Sequence, residues 1–314
     1  MRTTRPAASV LAGSALLVLA GCSTAPAAPG NAPFGTGGAS ARTIQVVAAE
    51  NFWGSIAVQL GGERVTVTNI IDSPDVDPHD YEAKAADARA IAAADLVLIN
   101  GVGYDTWATQ AVRANPAPGR TVLTVGDVVG VPAGGNPHRW YNPDDVQKVV
   151  AALVADYKMI DPAHSAYFDQ RKVAFTTIGL AAYRVVIAEI RAKYAGTPVG
   201  ASESIFAMVA PSLGLDLITP PTFLTAVSQG TDPTAADKAT IDAQIRDRKL
   251  AVYVCNSQNA TPDVQAQITA AKAHGIPVTT ITETLTPPTA SWQEWQTAQL
   301  TALREALAKA TGRR

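Results

Sequence analysis

The sequence predicts an α/β protein made of two Rossmann-like lobes with parallel sheets joined by one long α-helix, and three observations lead there. From Arg42 onward, short apolar runs alternate with helical patterns, as parallel strands linked by crossover helices require. After Pro162 no proline recurs until Pro198 and only one glycine falls before Tyr194, while apolar residues keep helical spacing through YFDQRKVAFTTIGLAAYRVVIAEIRAKY. After Gly196-Thr197-Pro198 a second strand and helix series begins. A helix of about 30 residues is about 45 Å long, more than an ordinary crossover needs. The chain therefore divides into a first lobe over 42–161, a linking helix over 162–195 and a second lobe over 196–314.

In the first series TIQVVAAE reads as a strand, Asn51 to Leu60 as a helix, and RVTVTNII (Arg64 to Ile71) as a second strand with period-two alternation. Ala85 to Ala94 is a strong helix former that runs into DLVLIN, a buried strand ended by Gly101 and Gly103. Thr121 to Asp127 reads as a further strand. Asn142-Pro143-Asp144-Asp145 has the form of a helix start, with proline at the first helical position and acids in the first turn. The second series reads VGAS, a helix from Ser204, DLITP, a helix over Ala235 to Asp247, LAVYVCN, a helix over Val264 to His274, PVTTIT, and a terminal helix from Trp292 to Lys309. No repeat of fixed period is present.

The N-terminus predicts export. Arg2 and Arg5 precede ASVLAGSALLVLAG, an apolar run too short for a stable membrane span. It ends in Leu19-Ala20-Gly21-Cys22, which resembles a bacterial lipobox; residues 1–22 would be a lipoprotein signal with Cys22 as the lipidated first residue of the mature chain. The alternatives are a plain signal peptide or a short membrane anchor with an incidental cysteine. Residues 23–41 are uncharged and rich in Pro, Gly, Ala and Ser, which predicts a flexible linker. With Cys22 lipidated, Cys255 is the one cysteine left, so the exported domain folds on its core without a disulfide. A net charge of −2 and the lack of any basic run argue against nucleic acid as a partner.

Among four histidines, two follow prolines in similar settings: Asp77-Pro78-His79-Asp80-Tyr81-Glu82 and Asn136-Pro137-His138-Arg139-Trp140. The first lies just past a predicted strand, where open α/β sheets place their ligands. The stretch DPHDYEAKAADARAIAAADLVLINGVGYDTW, then NPHRWYNP, ASESIFAMVAPSLGLDLI and GIPVTTITETL with SWQEWQTAQLTAL, resembles the metal-binding branch of the ABC-importer substrate-binding proteins across almost the whole mature chain. That resemblance implies two lobes joined by a rigid helix, a ligand cleft between them, and His79, His138, Glu203 and Glu283 as metal ligands, Glu283 standing where the family usually has Asp. It implies a lipid-anchored, extracytoplasmic, monomeric binding protein, not an enzyme, that captures a divalent ion and hands it to an ABC permease with its ATPase.

The chemistry agrees with that ligand set. Two neutral imidazoles and two carboxylates carry a formal charge that a divalent cation cancels. A preceding proline fixes the backbone before each imidazole. Imidazole ligands donate their second N–H to a neighbouring acceptor, for which Asp77, Asp80 and Glu82 are candidates near His79. Asn136 and Asn142 replace the family's aspartates around His138, which puts the hydrogen bonds there in question. Two carboxylates lean toward manganese or ferrous iron, and no His-rich loop of the kind zinc importers carry precedes His138; binding strength alone favours zinc over manganese. Bland readings stand beside these: Glu203 as a carboxylate at a helix start, Glu283 on a surface loop, His164 and His274 as structural residues, and the five tryptophans as packing, with Trp140 a candidate wall of the site. The competing functions are a secreted metallohydrolase, although no H-E-x-x-H or G-x-S-x-G is present, and a binding protein for an iron chelate or vitamin on the same scaffold.

Overall fold

The computed structural model describes residues 42–74, 76, 81–259 and 261–313. The readings of residues 1–22, of Cys22, of the 23–41 linker, and of Asp77, His79 and Asp80 lie outside the described residues.

The first sheet is fed by β1 (Ile44–Glu50), α1 (Asn51–Gly61), β2 (Val65–Ile71), α2 (Ala85–Ala93), β3 (Leu96–Ile99), α3 (Thr106–Ala114), β4 (Thr121–Thr124) and α4 (Val125–Val129). Its four parallel strands lie in the order β2-β1-β3-β4. β1 and β3 are central, so both faces are covered, and the VVAA of β1 and the LVLI of β3 are buried apolar runs. α1 sits close on β2: a side chain on Gly54 would come within 1.7 Å of Asn69. After α5 (Pro143–Ile160), α6 (Ser165–Ala174) and α7 (Ala181–Tyr194), the second series runs β5 (Pro198–Ala201), α8 (Ser204–Ala207), α9 (Ala210–Leu213), β6 (Asp216–Leu217), α10 (Pro221–Ser228), α11 (Ala235–Arg246), β7 (Val252–Asn256), α12 (Pro262–Ala273), β8 (Val278–Ile281) and α13 (Trp292–Thr311). The second sheet repeats the first, parallel in the order β6-β5-β7-β8.

The fold class is as the sequence predicts, with particular corrections. The strand expected over Thr121 to Asp127 stops at Thr124, where the chain turns directly into α4. DLITP supplies only a two-residue strand. α3 and α10 are helices that the periodicity did not single out. The linking helix over 162–195 is not one rod. It opens with a short 3-10 turn at Pro162–His164 and is interrupted by a π turn at Phe175–Gly179, and its two halves meet at a 40° bend. The cause is local. Thr176 and Thr177 turn their hydroxyls back onto the carbonyls of Lys172 and Val173, and the Leu180 N–H reaches the Phe175 carbonyl at 2.9 Å, five residues back.

The helix start expected at Asn142 forms as read, its side chain accepting from the N–H groups of Asp144 and Asp145. α13 begins with a reciprocal cap between Ser291 and Glu294. From that start it docks on the first lobe, where the Trp292 N–H meets the Ser55 hydroxyl at 2.9 Å. One apolar cluster consequently runs through both lobes and includes Trp53, Trp140, Trp292 and Trp295. Each such ring, fully buried, contributes on the order of 2 kcal/mol or more. A smaller cluster around Val47, Val97, Ile99 and Trp107 covers the other face of the first sheet.

Candidate metal centre

In each sheet the direction of crossover reverses beside its first strand, and in such sheets ligands sit at the C-terminal strand ends near that reversal. Glu203 lies two residues beyond β5, Asn256 ends β7, and Glu283 lies two residues beyond β8. From the first lobe, the loop after β3 carries Tyr104 and the loop after α4 carries His138. All five side chains are buried; His138 is 0% exposed, Glu203 1% and Glu283 3%. The surface-loop reading of Glu283 is therefore wrong. Glu203 does stand at the start of α8, but its side chain makes no capping bond and turns to Asn256 instead.

The candidates are joined in a closed ring. Asn256 Nδ2 donates to Glu203 Oε2 at 3.1 Å and to Glu283 Oε1 at 2.9 Å. Tyr104 donates its hydroxyl to Glu283 Oε2 at 2.9 Å, and its ring lies edge-on to the His138 ring with centroids 6.0 Å apart. Ser204, next to Glu203 in the chain, closes the circuit with its Oγ 3.3 Å from His138 Nδ1. These links run through intermediaries: among the described residues no group of three His, Cys, Asp or Glu side chains is arranged to hold an ion by itself.

The tautomer of His138 follows from its neighbours. Asn136 Nδ2 donates to the Ser204 carbonyl at 2.7 Å, which leaves its Oδ1 facing His138 Nδ1 at 2.9 Å and the His138 N–H at 3.1 Å. An acceptor there requires the proton on Nδ1, so the lone pair belongs to Nε2. Asn136 thus supplies the hydrogen bond that its replacement of Asp had put in question. Trp140 does wall this half: it stacks on Phe52 at 3.9 Å and lies 5.3 Å from the His138 ring. Glu82, in contrast, is exposed and is no buried partner for a ligand.

The Tyr104 loop is held from below by a second buried carboxylate. Asp105 accepts the N–H groups of Asn100 at 2.6 Å and Gly101 at 2.8 Å. Burial pushes its carboxyl up to about 6 despite those donors. Glu50, at the end of β1, is held well above the ordinary carboxylate range by burial and by the charge of Asp105. Its oxygens find no N–H or hydroxyl donor among the described residues. Burial and the neighbouring charge of Asp105 both favour the protonated form of Glu50. Between Gly101 (φ 71°) and Gly103 (φ 90°), Val102 adopts φ 59°, a strained conformation for a β-branched residue, and this turn delivers Tyr104.

Sequence reasoning missed Asn256, Tyr104 and Gln258. Gln258 Oε1 accepts the N–H groups of Glu283 at 2.6 Å and Thr284 at 3.0 Å, and its Nε2 donates to the Pro74 carbonyl of the other lobe. No local pattern marks such residues. A cavity of about 250 Å³ lies beside the ring, lined among others by Tyr104, Asn136, Ser204, Ser228 and Gln229 from both lobes. His164 pairs with Asp161 at 2.8 Å, the structural part expected of it.

Comparison with known proteins bears on the whole arrangement. The family model described as zinc-uptake complex component A, periplasmic, matches residues 46–306. A manganese-binding lipoprotein of Halalkalibacterium halodurans is 28% identical over 123 residues, 38% of this chain and 40% of that protein. An iron-binding protein of Yersinia pestis is 27% identical over 146 residues, 43% of this chain and 45% of that protein. In these alignments the chain spans less than half the length of each curated relative. The Mn-bound periplasmic metal binding protein from Candidatus Liberibacter asiaticus shares the fold, with a TM-score of 0.70 at 18% identity over 84% of this chain and 100% of that one. A Mn2+ complex of a binding protein from Pseudomonas aeruginosa gives 0.69 at 19% identity, over 86% of this chain and 100% of that one.

Proposed function

Because the chain belongs to the zinc-uptake complex component A family, we propose that it captures a divalent transition-metal ion outside the cytoplasm and delivers it to an ABC import permease and its ATPase. The ion is manganese or zinc, with ferrous iron the less favoured cargo, and the ligands are His79, His138, Glu203 and Glu283. Relatives named for manganese and for iron support a divalent cargo. Cys22 tethers the protein by lipid to the outer face of the cytoplasmic membrane, and the protein acts as a monomer. On this reading it is not an enzyme, which relatives named as substrate-binding lipoproteins support.

The observation that carries this reading is the buried ring of His138, Tyr104, Glu283, Asn256 and Glu203 at the facing strand ends of two lobes. Two buried carboxylates so close repel each other, and a divalent cation between them and the imidazoles relieves that repulsion. The lobes, over 42–161 and 196–314 with 162–195 between them, meet at this ring through direct hydrogen bonds. Besides Tyr104 to Glu283, the Tyr141 hydroxyl reaches the Thr282 carbonyl at 2.7 Å. Release therefore needs these bonds broken, by separation of the lobes or by rearrangement of the second one.

Metal content of the purified chain after exposure to manganese, zinc and iron tests the proposal, beside the His79→Ala/His138→Ala double variant. One tightly held ion per wild-type chain, lost in the variant, is expected. Stoichiometric metal retained by the variant, or none in the wild type, would sink the ligand assignment and bring the organic-ligand alternative forward.

A further inference from the structure

Among the described residues, Asn256 alone donates to both candidate carboxylates. Its amide has no rotational choice: Oδ1 accepts the Gln258 N–H at 3.0 Å, so Nδ2 must face the glutamates. Its backbone N–H is fixed on the Ser202 hydroxyl at 3.0 Å, and the residue is 1% exposed. The two bound oxygens, Glu203 Oε2 and Glu283 Oε1, are thereby kept within about 6 Å of each other. Glu283 has its other oxygen on the Tyr104 hydroxyl as well.

We propose that Asn256 restricts Glu203 and Glu283 to one metal-binding oxygen each, sets a low coordination number, and so favours zinc over manganese. This rests on the proposed reading of His79, His138 and both glutamates as ligands. A carboxylate that chelates turns both oxygens toward the ion, as the larger, oxygen-rich coordination spheres require. Here that rotation costs each glutamate its charge-assisted bond to a rigid, buried amide. One oxygen from each glutamate with two imidazole nitrogens makes four donors, the tetrahedral set that suits zinc, while manganese takes octahedral oxygen-rich sites. Two carboxylates by donor type lean toward manganese; Asn256 opposes that lean through geometry. An amide donor also offsets the repulsion between the carboxylates without adding a positive charge that would repel the cation.

The test uses the purified chain with zinc and manganese alone as probes, and dissociation constants from competition with a chelator. Asn256→Ala removes the donor; Asn256→Leu removes it while filling the space. Taking the ratio of the two metals cancels any general loss of affinity. Both variants are expected to shift that ratio toward manganese by about tenfold, the effect of one hydrogen bond to a charged group made in the four-donor geometry and lost on chelation. X-ray absorption on wild-type zinc-loaded protein, which does not depend on variant folding, is expected to give four nitrogen and oxygen neighbours. A bidentate carboxylate with five or six neighbours in the wild type, or an unchanged ratio in both variants, overturns the role of Asn256 alone. Failure of the wild type to hold any stoichiometric ion overturns the ligand assignment itself and this inference with it.

Discussion

The two halves of the centre are held in opposite ways. His138 is oriented from its own loop, by Asn136 two residues upstream. Glu203 and Glu283 are oriented by Asn256, 53 and 27 residues away, and the Glu283 backbone by Gln258, 25 residues away. The difference follows from the side chains. A neutral imidazole has one N–H and one lone pair, so a single acceptor decides its tautomer and orientation. A carboxylate has several acceptor sites on each oxygen, and two of them side by side in a buried cleft need donors from more than one strand to offset their mutual repulsion. The histidine half is a local device, and the carboxylate half is a product of tertiary structure.

The sharpest way to break the local half is Asn136→Ala, which removes the acceptor for Nδ1 and the bond to the Ser204 carbonyl. Metal affinity is expected to fall by about ten- to a hundredfold, the range for partners of a ligating histidine. Asn136→Asp restores the acceptor and is expected to recover most of that loss, although it forfeits the N–H to Ser204. Calorimetric titration distinguishes these outcomes. Equal losses in both variants would mean that the loop's anchoring to the second lobe matters, and the tautomer does not.

Between the halves stands Tyr104, which contacts His138 by its ring and Glu283 by its hydroxyl. Tyr104→Phe keeps the ring and deletes only the hydroxyl's bond to Glu283, one of several that cross between the lobes. A hydrogen bond to a charged group contributes about 1.5–3 kcal/mol, but Asn256 still holds Glu283, so an effect of up to about tenfold is expected. It should lie in faster metal dissociation, measured by stopped-flow transfer to a chelator, with association unchanged. A change confined to association would show that the hydroxyl shapes access to the ion, with no part in keeping the lobes together.

This contrast also explains what the sequence could reveal. The two Pro-His loops and the strand ends stood out because proline, histidine and apolar alternation act over a few residues. Glu203 and Glu283 became visible only through resemblance to a family, since a glutamate between two hydroxyl residues has no local signature. Asn256 and Gln258 were invisible because their partners come from other strands. The bend in the linking helix was half visible: Thr176, Thr177 and Gly179 were in plain sight, but apolar spacing carries on through a π turn with only a change of face. α3 escaped notice because Thr106 and Val112 weaken its helical propensity, and its burial against the first sheet settles what propensity leaves open.

The smallest effect expected concerns stability and not binding, and it arises beneath the Tyr104 loop. Burial raises both Glu50 and Asp105 above their unfolded values. For an acid whose folded value is raised, the folded state binds more protons than the unfolded chain. Its contribution is fully present below the unfolded value and is lost as pH rises toward the folded one. For Asp105 that loss falls between about pH 4 and about 6; for Glu50 it likewise sets in above the ordinary carboxylate value and grows as pH rises toward the raised folded one. Glu50→Gln keeps an N–H donor against Asp105 and removes the titration. Thermal unfolding should therefore show a higher Tm than wild type at pH 8, by about 3 °C for each ~1 kcal/mol recovered. Near pH 3, well below the unfolded value of about 4.3 so that Glu50 is protonated in both states, the two proteins should converge. A variant less stable than wild type at pH 8 would mean that titration of Glu50 costs the fold nothing there, and that its carboxyl serves the packing beneath the Tyr104 loop in a way the amide cannot.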